Sequence, residues 1–167
     1  YTIVDSPLGR LLVGATGKGI CAVSIGKSDK ALEITLFNEY PAAEIRWDRT
    51  GLREYVTDLL KYLDGKQPNL DLPLDVQVTA FQWKVYETLK AIPYGRTRTY
   101  GEIAEAIGQP KAIRAVARAC STNPTAMVIP CHRVVRKDGS LGGYRWGLER
   151  KETLLETEDR KTWENPE

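Results

Sequence analysis

The stretch Thr99-Tyr100-Gly101-Glu102-Ile103-Ala104-Glu105-Ala106-Ile107-Gly108-Gln109-Pro110-Lys111-Ala112-Ile113-Arg114-Ala115-Val116-Ala117-Arg118-Ala119-Cys120-Ser121 decides how the C-terminal half of this chain folds. Thr99 with Glu102 three residues on has the form of a capping box, which starts a helix at Tyr100. Ile103, Ala104 and Ile107 share one helical face, and Gly108 stops the helix. Pro110 suits the first position of a second helix, predicted over 111–121. Two short helices joined by a tight glycine-containing turn read as a helix-turn-helix or as an ordinary helical hairpin. The content of the second helix favours the former. Val116 and Cys120, four apart, face a core, while Ala112, Ala115, Ala119, Arg114 and Arg118 cover much of the rest. Small side chains let a helix approach a nucleic-acid backbone closely, and arginines supply charge. The surface lacks the Asn or Gln that reads adenine, so the helix can bind DNA without reading much sequence.

Upstream, the chain changes character. Gly9–Gly14 and Gly19–Ile25 flank Thr16-Gly17-Lys18-Gly19, a hairpin pattern, and Tyr1–Val4 adds a third strand beyond the Ser6-Pro7-Leu8-Gly9 turn. Ser28 caps a helix to about Asn38, stopped by Pro41. Leu52, Tyr55, Val56, Leu59, Leu60 and Leu63 follow helical spacing up to Gly65. Residues 65–78 read as a linker, and Thr79 opens a helix marked by Phe81, Val85, Leu89 and Ile92. The fold expected is α+β, in two parts. Residues 1–78 form an N-terminal subdomain with a small antiparallel β-sheet and helices. Residues 79–167 form a mostly helical subdomain with the helix-turn-helix.

Composition narrows the function. The chain has 167 residues, 42% hydrophobic and 28% charged, enough for a real core and too apolar for disorder. No apolar run approaches the roughly 18 residues of a membrane span, so no membrane role is expected. The chain opens on Tyr1-Thr2-Ile3-Val4-Asp5, without a basic or apolar leader and without Met, which reads as a product cut or trimmed from something longer. Three cysteines cannot all pair within the chain, which favours a reducing cytoplasm. With one histidine and no CxxC, no metal site is expected. Residues 80–151 carry 13 Lys/Arg against 5 Asp/Glu, between two mildly acidic ends. A basic middle of this kind suits a polyanion.

Ile129-Pro130-Cys131-His132-Arg133-Val134 places the only histidine beside a cysteine. Thiolate is the nucleophilic form, neighbouring positive charge lowers a cysteine's pKa, and a histidine can take its proton. Neighbours in a straight strand point to opposite faces, so Cys131 and His132 cooperate only if the chain turns or a water bridges them. Pro130 is consistent with such a break. The bland alternative is a buried small hydrophobe, the reading preferred for Cys21 and Cys120.

The full string Ile129-Pro130-Cys131-His132-Arg133-Val134-Val135 closely resembles the active-site signature of the O6-alkylguanine-DNA alkyltransferases. The resemblance runs from about Thr79 to Glu158. It includes Thr79-Ala80-Phe81-Gln82, Ile92-Pro93-Tyr94-Gly95, Thr99-Tyr100, Ala112-Ile113-Arg114-Ala115-Val116, Asn123-Pro124 and Gly139-Ser140-Leu141-Gly142-Gly143-Tyr144-Arg145-Trp146-Gly147. Tyr144-Arg145-Trp146-Gly147 looks most like the alkyltransferase half of the bacterial adaptive-response proteins, and residues 1–78 fit their weaker amino-terminal subdomain.

The resemblance implies a single-use DNA repair protein that acts as a monomer on double-stranded DNA containing O6-alkylguanine, with O4-alkylthymine less certain. The second helix would enter the minor groove through Ala112, Ala115, Arg118 and Arg114, with Thr99 and Tyr100 beside it. Arg114 would fill the space of the flipped base, and Tyr100 would crowd the phosphate and protonate the leaving guanine. Cys131 would attack the alkyl carbon, His132 would act as base through a water, and Glu158 would orient the imidazole. Asn123 would pin the turn carrying Cys131. Val134, Tyr144, Arg145 and Trp146 would line the pocket. Some relatives have a small residue where Trp146 stands, so a narrowed pocket and poor reaction with benzyl adducts are expected. No cofactor is implied, since the acceptor is the protein itself.

Three readings compete with this one. A non-catalytic alkyl-lesion sensor would lack the nucleophile that Cys131 supplies. A sequence-specific transcription factor would need base-reading side chains. A cysteine hydrolase would have no use for the basic helices.

Overall fold

The computed structural model describes residues 1–164, with side chains through Lys161. The chain divides into two compact units, Tyr1–Val76 with Pro124–Ala126, and Gln77–Asn123 with Met127–Glu167. The division falls two residues before the 78/79 boundary read from the sequence. The fold is α+β, as the patterning indicated.

The first unit is built on a three-stranded antiparallel sheet in the order β1 (Thr2–Ser6), β2 (Gly9–Thr16), β3 (Gly19–Gly26). Helix α1 (Asp29–Glu39) follows, its first turn held by Ser28 Oγ, which accepts from Ala31 N at 3.4 Å. Helix α2 (Arg53–Leu63) buries Leu59, Tyr62 and Leu63. The run Ile20-Cys21-Ala22-Val23 lacks polar alternation because β3 is buried along almost its whole length. Its outer edge is covered as well. Ile20 bridges Leu74, and Val23 bridges Thr125, both in parallel. Ile20 N donates to Pro73 O at 2.8 Å, Val23 N to Pro124 O at 3.0 Å, and Ala126 N to Val23 O at 3.0 Å. Residues 65–78 are therefore not simply a linker, since Pro73–Asp75 protect a strand edge that would otherwise template association. Gly19 makes this possible, because a Cβ there would meet the Pro73 carbonyl carbon and oxygen at 2.7 Å.

In the second unit, helix α3 (Ala80–Lys90) opens with a complete capping box between Thr79 and Gln82. Val85, Tyr86 and Leu89 are its buried face, and the Tyr86 hydroxyl donates to Ala119 O at 2.8 Å. A two-residue strand, β4 (Arg98–Thr99), leads directly into α4 (Tyr100–Ala106) and pairs in parallel with β5 (Val134–Val135). Only half of the capping box expected at α4 forms. Thr99 Oγ1 accepts from Glu102 N at 3.1 Å, whereas the Glu102 carboxylate lies 3.8 Å from Arg98.

Helix α5 is Ile113–Ser121, two residues shorter than read from the sequence. Pro110 starts a separate turn, closed by Ala112 N donating to Gln109 O at 2.9 Å. Its fixed φ suits the second position of that turn as well as a helix start. Ala119 is buried with Val116 and Cys120, so it belongs to the core and not to the exposed surface. Helix α6 (Leu148–Glu164) closes the described chain. No helix among the described residues is long and apolar enough to cross a membrane.

Candidate active site

Backbone geometry answers the question raised by the Cys131-His132 pair. Pro130 has φ −81° and ψ 62°, and Cys131 N donates to Ile129 O at 2.8 Å, an inverse γ-turn. A single 3₁₀ turn, Cys131–Arg133, follows at once. The chain is bent twice within four residues, so the strict alternation of a strand does not apply. Upstream, Met127 holds a left-handed φ of 70°, a conformation that costs a non-glycine residue on the order of 1 kcal/mol.

Asn123 supports this bend. It is fully buried, and its Nδ2 donates to Ile129 O at 2.8 Å and to Cys131 Sγ at 3.2 Å. Removing a buried donor with two acceptors costs about 1–3 kcal/mol for each group left without a partner. Asn123→Ala is therefore expected to lower unfolding stability by at least that amount in urea titration. An unchanged midpoint would mean that the turn holds itself.

Behind the turn lies a charged cluster with almost no water contact. His132 is fully buried, and Glu158 and Arg133 nearly so. His132 Nε2 lies 2.8 Å from Glu158 Oε1. Arg133 Nε donates to Glu158 Oε2 at 3.0 Å, Nη2 to Oε1 at 3.0 Å, and Nη1 to Ile92 O at 2.8 Å. Burial raises the Glu158 pKa, but the hydrogen bonds and charges of His132 and Arg133 outweigh it and hold the carboxyl at about 2. Burial pulls the imidazole pKa down. Glu158 is thus ionised against His132 and the permanent Arg133 guanidinium, while burial disfavours the charged imidazole. With Nε2–H donated to the carboxylate, the imidazole's basic lone pair is on Nδ1.

Lys151 is the other buried charge. Its ammonium is wholly covered and donates to the carbonyls of Val134 at 2.6 Å, Gly143 at 3.0 Å and Leu141. It thereby ties the loop before α6 to the segment after Cys131. Burial lowers its pKa to about 8. The Cys131 thiol departs from the sequence expectation. Burial pushes it up to about 11, against the opposing pull of the Asn123 hydrogen bond and the Lys151 and Arg145 charges. Desolvation outweighs the basic surroundings, so the resting thiol is protonated.

Cys131 opens onto a cavity of about 330 Å³ lined by Tyr100, Ala117, Cys120, Ser121, Gly143, Tyr144 and Arg145. The structure thus gathers Cys131, Asn123, His132, Glu158, Tyr100, Tyr144 and Arg145 around one bend. Arg145 Nη1 donates to Asn123 O at 2.8 Å. Burial pushes the Tyr100 hydroxyl up to about 12, so it remains a donor. Gly142 permits its position, because a Cβ there would stand 2.9 Å from the hydroxyl.

Val134 and Trp146 are corrections. Both are buried and neither lines the cavity. Val134 is turned into the core by β5. Trp146 packs edge-on against Tyr144, ring centroids 5.2 Å apart, and lies under the Arg145 guanidinium. It backs the wall instead of narrowing the pocket directly. Arg114 and Arg118 are exposed on α5, Ala112 and Ala115 are half-exposed, and Thr99 is engaged as a helix cap. Sequence reasoning missed Arg133, Lys151, Ala117 and Ser121. Ala117 and Ser121 had a signal, since they continue the i, i+4 row from Ile113. Among the described residues no group of three or more His, Cys, Asp or Glu could hold a metal ion.

A bent turn presents the buried Cys131 thiol to a cavity, with a buried histidine–carboxylate–guanidinium cluster behind it and a helix-turn-helix upstream. Residues 80–160 match the DNA-binding domain of the 6-O-methylguanine DNA methyltransferases, and residues 1–76 match the ribonuclease-like domain of the same proteins. The chain belongs to the methylated-DNA–protein-cysteine methyltransferase family. It is 46% identical over 158 residues to the bifunctional transcriptional activator/DNA repair enzyme Ada of Escherichia coli, covering 95% of this chain and 45% of Ada. The chain thus spans about half the length of the Ada relatives it matches. It is 43% identical to the methylated-DNA–protein-cysteine methyltransferase of Methanosarcina barkeri, covering 95% of this chain and 96% of that protein. The crystal structure of Mycobacterium tuberculosis O6-methylguanine methyltransferase superposes with a TM-score of 0.82 at 36% identity, covering 96% of this chain and 93% of that one.

Proposed function

We propose that this chain repairs DNA by transferring the alkyl group of O6-alkylguanine irreversibly to Cys131, one group per molecule. The observation that carries this reading is the buried Cys131 thiol, bonded to Asn123 and facing a cavity beside the His132–Glu158–Arg133 cluster. The partner is double-stranded DNA, met by the chain as a monomer through the minor groove. Helix α5 enters the groove with Ala112 and Ala115 close to the backbone and Arg118 on the phosphates. The damaged base leaves the stack, and Arg114 takes its place.

In the cavity, His132 Nδ1 takes the thiol proton through a water, and Glu158 stabilises the imidazolium that forms. The sulfur then attacks the alkyl carbon as the carbon–oxygen bond breaks, and the Tyr100 hydroxyl returns a proton to the departing guanine. The product is a thioether. No group in the site offers a way to cleave an S-alkyl bond, so stoichiometric use follows.

The deciding experiment is intact and peptide mass spectrometry after mixing with duplex DNA containing O6-methylguanine. One methyl group on the peptide holding Cys131, at no more than one per protein, supports the reading. Unchanged mass with damaged DNA bound would replace it with a lesion sensor. Arg114→Ala is expected to slow repair in duplex on the order of tenfold to a hundredfold, reflecting the few kcal/mol of unstacking, and to leave reaction with the free base little changed. Equal losses on both substrates would remove the flipping role.

A further inference from the structure

Cys120 is a nucleophilic side chain that the reaction above does not use. It is buried on the last turn of α5 and lines the same cavity of about 330 Å³ as Cys131. Both cysteines are held around Asn123. The Asn123 backbone N–H donates to Cys120 O at 3.3 Å, and its side-chain amide donates to Cys131 Sγ at 3.2 Å. Eleven positions separate the two cysteines, and the intervening chain folds back on itself through the Asn123–Ile129 bond. Cys21, the remaining cysteine, lies in β3 of the other unit.

We propose that the Cys120–Cys131 pair is a site of reversible oxidation by peroxides, with Cys131 as the oxidised thiol and Cys120 as its resolving partner. In the first step Cys131 sulfur attacks a peroxide oxygen and the O–O bond breaks. With hydrogen peroxide this yields a sulfenic acid and one water. In the second step Cys120 sulfur attacks the sulfenic sulfur, the S–O bond breaks, and a second water leaves with the Cys120 proton. The two thiols together lose two electrons and two hydrogens, and the peroxide is reduced to two waters. Cys131 is the first to react because the Asn123 amide donates to its sulfur at 3.2 Å and favours its thiolate, a hydrogen bond that Cys120 lacks among the described residues. The disulfide occupies the nucleophile but returns it on reduction. A lone Cys131 would continue to the sulfinic acid, which thiols do not reduce.

The test exposes the full chain to excess hydrogen peroxide, then counts free thiols in denaturant by alkylation. Thiols are expected to fall from three to one, and to return to three with dithiothreitol. The tryptic peptide 119–133 holds both cysteines and is expected to lose two hydrogens. Met127 lies in the same peptide, so any added oxygen is assigned by fragmentation. Cys120→Ala is expected to carry sulfinic acid at Cys131 that dithiothreitol does not reverse. If that variant fails to fold, Cys120→Ser asks the same question. Protein methylated at Cys131 beforehand is expected to keep Cys120 free. A bridge involving Cys21, sulfinic acid at Cys131 with Cys120 free in the unaltered protein, or three thiols remaining would overturn the proposal. Only the methylated arm rests on the proposed alkyl transfer; the thiol counts and the Cys120 variants stand or fall separately from it.

Discussion

Cys131→Ser is expected to abolish alkyl transfer, by a factor on the order of 10⁴ or more, while damaged DNA still binds. The loss is large because the two chalcogens differ in acidity and polarisability, and the site does little to help a poor nucleophile. Burial already pushes the thiol to about 11, and only the Asn123 hydrogen bond, a backbone hydrogen bond and the flanking Lys151 and Arg145 charges oppose it. A serine hydroxyl starts several orders of magnitude less acidic and meets the same desolvation. Binding is spared because α5 carries its exposed arginines outside the cavity. The measurement is transfer of a labelled methyl group from duplex DNA beside a gel-shift titration. Residual transfer near the parent rate would remove Cys131 as the acceptor, and parallel loss of binding would mean that the serine disturbs the fold.

The second large effect is on stability. Arg133→Met is expected to cost about 3–5 kcal/mol at pH 7, because it leaves Glu158 buried without its guanidinium partner. The pH dependence tests the same physics. Glu158 titrates near 4.5 when unfolded and near 2 in the fold, so its stabilisation is fully present above pH 4.5. It is lost as the pH falls towards 2, and over that interval it amounts to about 3 kcal/mol. Without the guanidinium only His132 still opposes the burial of the carboxyl, so it titrates higher in the fold and this acid-sensitive contribution shrinks. Urea unfolding at pH 7 and across pH 5 to 2 decides the matter. Equal stability at pH 7, or an unchanged acid profile in the variant, would show that the cluster is a neutral balance of burial and pairing.

The two helices around Gly108 were legible because their signals are local. Thr99 as a cap, the Ile103–Ile107 row and a stop glycine act within one or two turns of chain. The hairpin β2–β3 was legible for the same reason, since its turn and its apolar runs lie side by side in sequence. Pro110 misled because its fixed φ fits a tight turn and a helix start equally well, and the choice depends on what the next four residues pack against. Trp146 misled for a related reason. Its chemistry suits a pocket wall, but whether it forms the surface or stands behind Tyr144 is a packing question.

Helix α6 marks the limit of local reading. Its sequence reads as a solvated, charged tail, yet Lys151, Leu154 and Glu158 all lie on a buried face. Hydrophobic periodicity cannot find a face that includes two charges. The compensating groups are the carbonyls of Val134, Leu141 and Gly143 for one charge, and His132 and Arg133 for the other. Glu158 was reachable only through the family resemblance, and Lys151 and Arg133 were not reached at all.

By itself, the sequence determined the α+β class, the helix pair and the break at Pro130, because each is set by residues close together in the chain. Tertiary structure decided the protonation state of Cys131, the residues that line its pocket, and the pairing of Pro73–Asp75 and Pro124–Ala126 with the edge of β3. Those depend on desolvation and on hydrogen bonds between distant segments, which exist only once the chain has closed on itself.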